Sequence, residues 1–226
     1  FPRLEQSVER RGGSPLIEPA LLANGAFVRG LIATFCFFLS NISFYFLITL
    51  FMQSAMGLSA LDAGTVMVPL TLAFIVATRR AGGVQTDGVG ALVKACAVQA
   101  LGLAGLAVLV TCLDPLSMFA LMVPLAIFGY GQGLVMAQLF NTVLGSIAHG
   151  RAGSASGVLV TAQQVANAIG VAVVGAVYFG AQAAHSQRVA LIAALITLIA
   201  SVALCAAALA WFRRCQSPAE LRAARQ

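Results

Sequence analysis

Charged side chains are nearly missing from this sequence. Only 9% of its 226 residues are Asp, Glu, Lys or Arg, against about 25% in an ordinary soluble domain. Lysine occurs once, as Lys94, and tryptophan once. So little polar surface cannot coat a soluble core, which excludes an ordinary globular domain. The five cysteines, Cys36, Cys96, Cys112, Cys205 and Cys215, form no CxxC pair. That spacing offers neither a disulfide framework nor a metal site, and four of the five lie in apolar runs as small packing residues. The sequence begins with Phe1 rather than Met, and its first 24 residues carry Arg3, Glu5, Glu9, Arg10, Arg11 and Glu18 without an apolar core. A signal peptide is not expected there. The expectation is a piece of a longer chain, cut in a cytoplasmic loop.

Also missing is any acid in the middle of an apolar run. Glu5, Glu9, Glu18, Asp62, Asp87, Asp114 and Glu220 all fall in tails or at run ends. Proton-coupled transport needs a titratable group inside the membrane, and Asn, Gln and Tyr do not titrate near neutral pH. His149 and His185 sit in loops. A proton-driven process would therefore draw its carboxylate from outside this chain. No apolar run holds a nucleophile, base and orienter together, so an enzyme is not expected.

What the sequence has in quantity is apolar length. Hydrophobic residues make up 60% of it, and mean hydropathy is +0.95. A membrane-spanning helix needs about 20 mostly apolar residues. Six stretches qualify: 30–52, 61–78, 89–112, 116–140, 154–179 and 189–212. Barrel strands would be about half as long and alternate in polarity. The expected fold is an all-α membrane protein of six transmembrane helices. The expected division is a cytoplasmic lead-in over 1–25, a six-helix bundle over 26–212 and a cytoplasmic tail over 213–226. Pro69 is expected to kink the second span, and Pro124 sits similarly in the fourth.

The basic residues orient the bundle. With six spans the loops alternate, and twelve of the thirteen Lys and Arg fall on one side, leaving Arg188 alone on the other. Basic loops mark the cytoplasmic face, so both ends are expected in the cytoplasm. The net charge of +6 is then explained by topology rather than by nucleic-acid binding.

Polarity divides the spans. The third and sixth are Ala, Leu, Val and Ile with Gln99 the main exception. The first, fourth and fifth carry Asn41, Tyr45, Tyr130, Gln132, Gln138, Gln163, Gln164 and Asn167. Turned to lipid, each amide would cost several kcal/mol. These three helices are therefore expected to face protein or an aqueous cavity. Asn41, Tyr45, Tyr130, Gln132, Gln163 and Asn167 are the cavity candidates. Gln163, Asn167 and Gly170 share one helix face at i, i+4, i+7. The alternative is that such amides only bond neighbouring helices, for about 0.6 kcal/mol each.

Glycine clusters suggest close helix packing. Gly129, Gly131 and Gly133 lie mid-span without a preceding strand, so no dinucleotide loop is read there. The run Gly150-Arg-Ala-Gly153-Ser-Ala-Ser-Gly157 lacks the Lys-Ser/Thr of a phosphate-binding loop. Gly153, Gly157, Thr161, Gln164, Ala168 and Gly175 instead form a small-residue packing face, and Gly170 belongs to the same packing set.

Taken in order, these segments resemble the C-terminal six helices of a major facilitator superfamily transporter, of the fourteen-span drug:proton antiporter branch (EmrB/QacA type). The likeness is carried by Gly12-Gly13-Ser-Pro15 through Pro19, Asn24 and Phe27; by Met56-Gly57-Leu-Ser59-Ala-Leu-Asp-Ala63-Gly64 with Pro69; by Gly129 to Gly133; and by Gly153 to Gly157 followed by Gln163-Gln164 and Ala168-Ile-Gly170-Val-Ala172. Gly83, Asp87 and Gly90 match the superfamily's gating loop, but Gly88, Ala91 and Leu92 stand where that loop is basic. Asp87 is expected to cap the third span.

The resemblance implies alternating access with an N-terminal half in the parent chain. It also implies export of small amphipathic molecules across the inner cell membrane, and a proton gradient in place of any cofactor. It puts the first, second, fourth and fifth helices at the cavity. Phe35, Phe37, Phe38, Phe44, Tyr45 and Phe46 offer aromatic faces for apolar or cationic substrates, at about 0.5–2 kcal/mol per cation–π contact. At least half of these rings are expected to pack against helices or lipid instead. A metabolite carrier on the same fold, or a non-transporting or degenerate fragment, stays open as an alternative.

Overall fold

The computed structural model describes residues 25–83, 88–113, 116–144 and 152–215. These residues form seven helices and no strand. They are α1 (Gly25–Ser54), α2 (Ala60–Val66), α3 (Val68–Gly83), α4 (Gly88–Cys112), α5 (Met118–Leu144), α6 (Ala152–Ala184) and α7 (Gln187–Cys215). Together they supply six stretches long and apolar enough to cross a membrane, with α2 and α3 sharing the second. The fifth, Gly153–Ala184, has 32 residues, or about 48 Å of helix against a hydrocarbon core of about 30 Å.

The break in the second span falls at Met67, two residues before Pro69. Proline has no N–H to offer the carbonyl four residues back. The Met67 N–H takes up that slack, reaching the Gly64 and Thr65 carbonyls with φ −80° and ψ −13°. The chain then restarts as α3 with Pro69 in its first turn, where a missing N–H costs nothing. Pro124, by contrast, leaves α5 helical from Met118 to Leu144. Gly105 of α4 faces its ring, where an added Cβ would lie 3.2 Å from Pro124 Cβ.

The corner between α1 and α2 is built by local chemistry. Gly57 adopts φ 68°, a conformation open to glycine at no steric cost. Beside it the Leu58 N–H reaches back to the Met52 carbonyl at 3.0 Å. Ser59 then caps α2: its Oγ accepts from the Asp62 N–H at 3.2 Å and donates to Asp62 Oδ2 at 2.7 Å.

Glycines set how closely the helices approach. A Cβ at Gly129 would collide with the Leu70 carbonyl, and one at Gly133 with Phe74 and Ala77, so α5 lies backbone to backbone along α3. Both registers advance together, which makes α3 and α5 parallel. On the opposite flank of α5, Gly131 meets the Gln99 backbone while Gly102 of α4 meets that of Phe128. Here one register rises as the other falls, so α4 and α5 run antiparallel. Gly170 of α6 seats against Leu39 and Ser43 of α1. Small residues allow this approach where no hydrophobic drive separates helix from lipid.

The apolar core runs through all seven helices. Phe44 of α1 stacks on Phe128 of α5 with ring centroids 3.8 Å apart, and Phe38 meets Phe140 edge-on at 6.2 Å. Most of the first span's aromatic rings thus serve packing: Phe37, Phe38 and Phe44 are buried and Phe35 is half-buried. Serine and threonine hydroxyls such as those of Thr34 and Ser43 bond the preceding turn, reaching the Gly30 carbonyl at 2.9 Å and the Leu39 carbonyl at 2.8 Å. They therefore add no unpaired groups to the apolar core.

Candidate functional site

Helix periodicity gathers polar side chains from separate spans at one opening. Residues three and four apart share a helix face, so Phe38, Asn41, Ile42 and Tyr45 of α1 line up. On α5 the same spacing aligns Gln132 with Met136, and on α6 Gln163 with Asn167. Leu70 and Phe74 of α3 complete the wall with Thr71. These residues surround a cavity of about 210 Å³. Its borders are the first, second, fourth and fifth spans.

The polar contents are specific. The Tyr45 hydroxyl donates to Gln132 Oε1 at 2.9 Å, joining α1 to α5 across the cavity. Gln132 is 3% exposed and Asn41 7%, so both amides are withdrawn into the wall. Asn167 Oδ1 is buried with no hydrogen-bond partner. An unpaired buried acceptor costs about 1–3 kcal/mol. No charged residue lines the cavity. Among the described residues the sole acid is Asp62, exposed at the start of α2 and held by Ser59, and no cluster of His, Cys, Asp or Glu suits a metal ion.

Five of the six cavity candidates therefore meet at one place: Asn41, Tyr45, Gln132, Gln163 and Asn167. Tyr130 does not line the opening. Two residues along a helix turn the side chain by about 200°, so Tyr130 and Gln132 cannot point the same way. Of the first span's aromatic candidates Phe38 and Tyr45 line the cavity; Ile42, Leu70, Thr71, Phe74 and Met136 line it without having been singled out from sequence. Stepping by three from Tyr45 and by four from Gln132 would have found Ile42 and Met136. Near its middle the second span offered only Thr71 as a polar marker.

The packing candidates divide. Gly129, Gly131, Gly133 and Gly170 sit in close helix contacts, whereas a Cβ at Gly153 or Gly157 would meet nothing within 4 Å. Thr161, Gln164 and Ala168, on the same stripe of α6, are also exposed. The expected small-residue face therefore looks outward from Gly153 to Ala168, whereas Gly175, further along α6, is buried with an added Cβ 3.8 Å from the Phe46 ring of α1. Gly83 ends α3 and Gly90 lies in the first turn of α4. Asp87, with its expected cap, lies outside the described residues.

A larger opening of about 530 Å³ lies at the end of the bundle where α1 ends and α7 begins, lined by Phe51, Met56, Leu58, Met118 and Arg188 among others. Its one amide is Gln187. Arg188 there donates to the Leu113 carbonyl at 3.3 Å, tying α7 to the end of α4.

Six apolar crossings, four of them around a polar cavity, define a multi-pass helical membrane protein. Residues 2–171 match the Major Facilitator Superfamily, and the chain belongs to that family of transporters. It is 34% identical over 185 residues to a probable actinorhodin transporter of Streptomyces coelicolor, covering 80% of this chain and 32% of that protein. It is 32% identical over 166 residues to the cephamycin export protein CmcT of Amycolatopsis lactamdurans, covering 73% and 34%. It is 32% identical over 175 residues to the drug efflux pump JefA of Mycobacterium tuberculosis, covering 75% and 33%. The chain spans about a third of the length of these relatives.

Proposed function

We propose that this chain is the C-terminal half of a fourteen-span drug:proton antiporter that exports amphipathic small molecules by alternating access. The observation that carries the reading is the convergence of Asn41, Tyr45, Gln132, Gln163 and Asn167 from three spans on one opening. Polar groups at membrane depth mark a substrate pathway. The export names of the relatives support the direction of transport. In this reading residues 1–25 are a lead-in loop, 26–212 the bundle and 213–226 a tail, and an N-terminal half supplies the facing wall and the coupling carboxylate. The outward α6 stripe through Gly153, Gly157 and Gln164 is where that half docks. Gly83, Asp87 and Gly90 shape the gating turn. The lipid bilayer and a small amphipathic substrate are the other partners, and no cofactor or nucleic acid takes part.

The test uses the full-length protein in a host stripped of its own pumps. Asn41→Ala and Asn167→Ala should change the relative resistance to different compounds by about three- to tenfold, roughly 0.6–1.4 kcal/mol, with membrane abundance near normal. If both variants lose abundance and keep every resistance ratio, the amides are packing groups and the cavity is not a substrate site. Net uptake of the compounds instead of export would favour a metabolite carrier.

The orientation has its own test. Among the described cations, Arg29, Arg79, Arg80, Lys94, Arg213 and Arg214 lie near the ends of α1, α3, α4 and α7 that share one side of the bundle, and Arg188 lies at the other. Both ends of the chain then belong in the cytoplasm, in the inner cell membrane. Reporter fusions after Gln226 and near Gly83 should report cytoplasm, and those near Ser59 and Ala183 the outside. A Gln226 fusion reporting the outside would overturn the six-span arrangement.

A further inference from the structure

Folding brings together thiols that spacing along the chain leaves apart. Cys36 is in the first span, Cys96 in the third and Cys205 in the sixth, and all three are buried. Ala33 lies eight residues into α1, Cys96 eight residues into α4, and Cys205 ten residues before the end of α7. Those helix ends share one side of the bundle, so each position is about 12–15 Å in from it. At that depth Cys205 Sγ donates to the Ala33 carbonyl at 3.5 Å, and the Cys96 and Cys205 thiols meet side chain to side chain. Neither thiol lines the polar cavity. We propose that Cys96 and Cys205 form a site for one mercuric ion, held in a line between two thiolates and joining α4 to α7.

Donor number and dryness choose the ion. Among the described residues no group of three or more His, Cys, Asp or Glu is placed to hold a metal. Zinc, which takes four ligands in a structural site, is therefore not served here. A soft ion content with two sulfurs is. Copper(I) or silver(I) between two thiolates would leave a net negative charge, which an apolar interior penalises heavily. Mercury(II) between two thiolates is neutral, so burial costs it little. Both thiols are buried in the apolar core of the bundle, and the reagent that reaches them has to cross lipid. Mercuric chloride is itself an uncharged molecule and enters from the bilayer. The exchange balances: two thiols and one mercuric chloride give one S–Hg–S bridge and two molecules of hydrogen chloride. Two S–H and two Hg–Cl bonds break, two S–Hg and two H–Cl bonds form, and nothing is oxidised or reduced.

The test counts mercury on the purified full-length protein in lipid nanodiscs. The protein is loaded with mercuric chloride, rinsed with excess 2-mercaptoethanol and analysed by elemental mass spectrometry. A mercury held by one cysteine exchanges away in the rinse, whereas a bridged one is retained because its second thiolate is intramolecular. Cys96→Ala and Cys205→Ala should each lower the retained count by one ion per chain, and the double variant by the same one ion. Cys36→Ala and Cys112→Ala should leave the count unchanged. The retained mercury should also raise the melting temperature by about 2 °C in the wild type and in neither single variant, because the bridge ties α4 to α7. Where an alanine variant fails to accumulate, Cys96→Ser or Cys205→Ser gives the same reading, since a hydroxyl does not hold mercury through the rinse. Two ions lost in the double variant, a loss confined to one of the two positions, no loss in any variant, or a wild-type melt that retained mercury leaves unchanged would each overturn the bridge.

Discussion

Gly129→Leu should empty the membrane of folded protein, whereas Gly157→Leu should leave abundance near normal and stop export. The two positions differ in what a side chain would meet. At Gly129 a Cβ falls on the carbonyl of Leu70, and at Gly157 nothing lies within 4 Å. A clash with a flexible side chain relaxes by rotation, but a clash with backbone requires α3 to move bodily. Overpacking a tight core costs about 1–3 kcal/mol even where side chains can yield. Four new heavy atoms pressed into a backbone contact should exceed that, a large share of the about 5–15 kcal/mol that holds a typical protein folded. Moving α3 would also carry Leu70 and Phe74 away from the cavity they line. Gly157 is on the outward stripe of α6, so its leucine would disturb only what docks there. Detergent-solubilised protein followed by fluorescence size-exclusion and thermal melting reads the first outcome, and resistance assays read the second. Loss of abundance for both would mean that α6 packs inside this bundle. Full export by Gly157→Leu would remove that stripe from the proposed docking surface.

These contrasts also show which parts of the molecule the sequence displayed. The six crossings were legible because apolar length is a local property: about 20 residues suffice and no partner need be known. The polar division was legible for a related reason, since an amide is costly in lipid wherever its helix happens to lie. Azimuth was harder. Tyr130 and Gln132 look equivalent when residues are grouped by span, and only counting by 100° per residue separates them. Apolar lining residues such as Leu70 and Phe74 carry no mark of their own, because a cavity wall and a packed core are made of the same side chains. The break at Met67 followed from Pro69, but its exact place depends on which N–H takes up the Gly64 and Thr65 carbonyls. The stripe through Gly153 and Gly157 was recognisable as a contact surface. Its partner was not, because a small-residue face reveals closeness and not what comes close.

The isolated six-helix unit, Phe1 to Gln226, should export nothing. The cavity shows why. Its walls come from four spans of one bundle, with polar groups such as Gln163 and Asn167 only partly covered. Facing lipid, each uncovered amide would lose water without gaining a partner, at a cost of several kcal/mol by the usual transfer penalty. The outward stripe adds Gln164, which is exposed on α6. Such a unit lowers its free energy by pairing these faces with another copy or by loosening its helices. Coupling gives a second reason: among the described residues the one acid is Asp62, exposed at the start of α2 and bonded to Ser59. An alternating mechanism needs a second wall that rocks against the first, and a proton-driven one needs a titratable group between them. Reconstituted alone, the unit should therefore show self-association on size-exclusion and no dye release under an imposed pH gradient. The full-length protein in the same vesicles should export. Gradient-driven export by the unit alone, at a rate comparable to the full chain, would overturn the half-transporter reading and turn attention to Asp62 as the coupling acid.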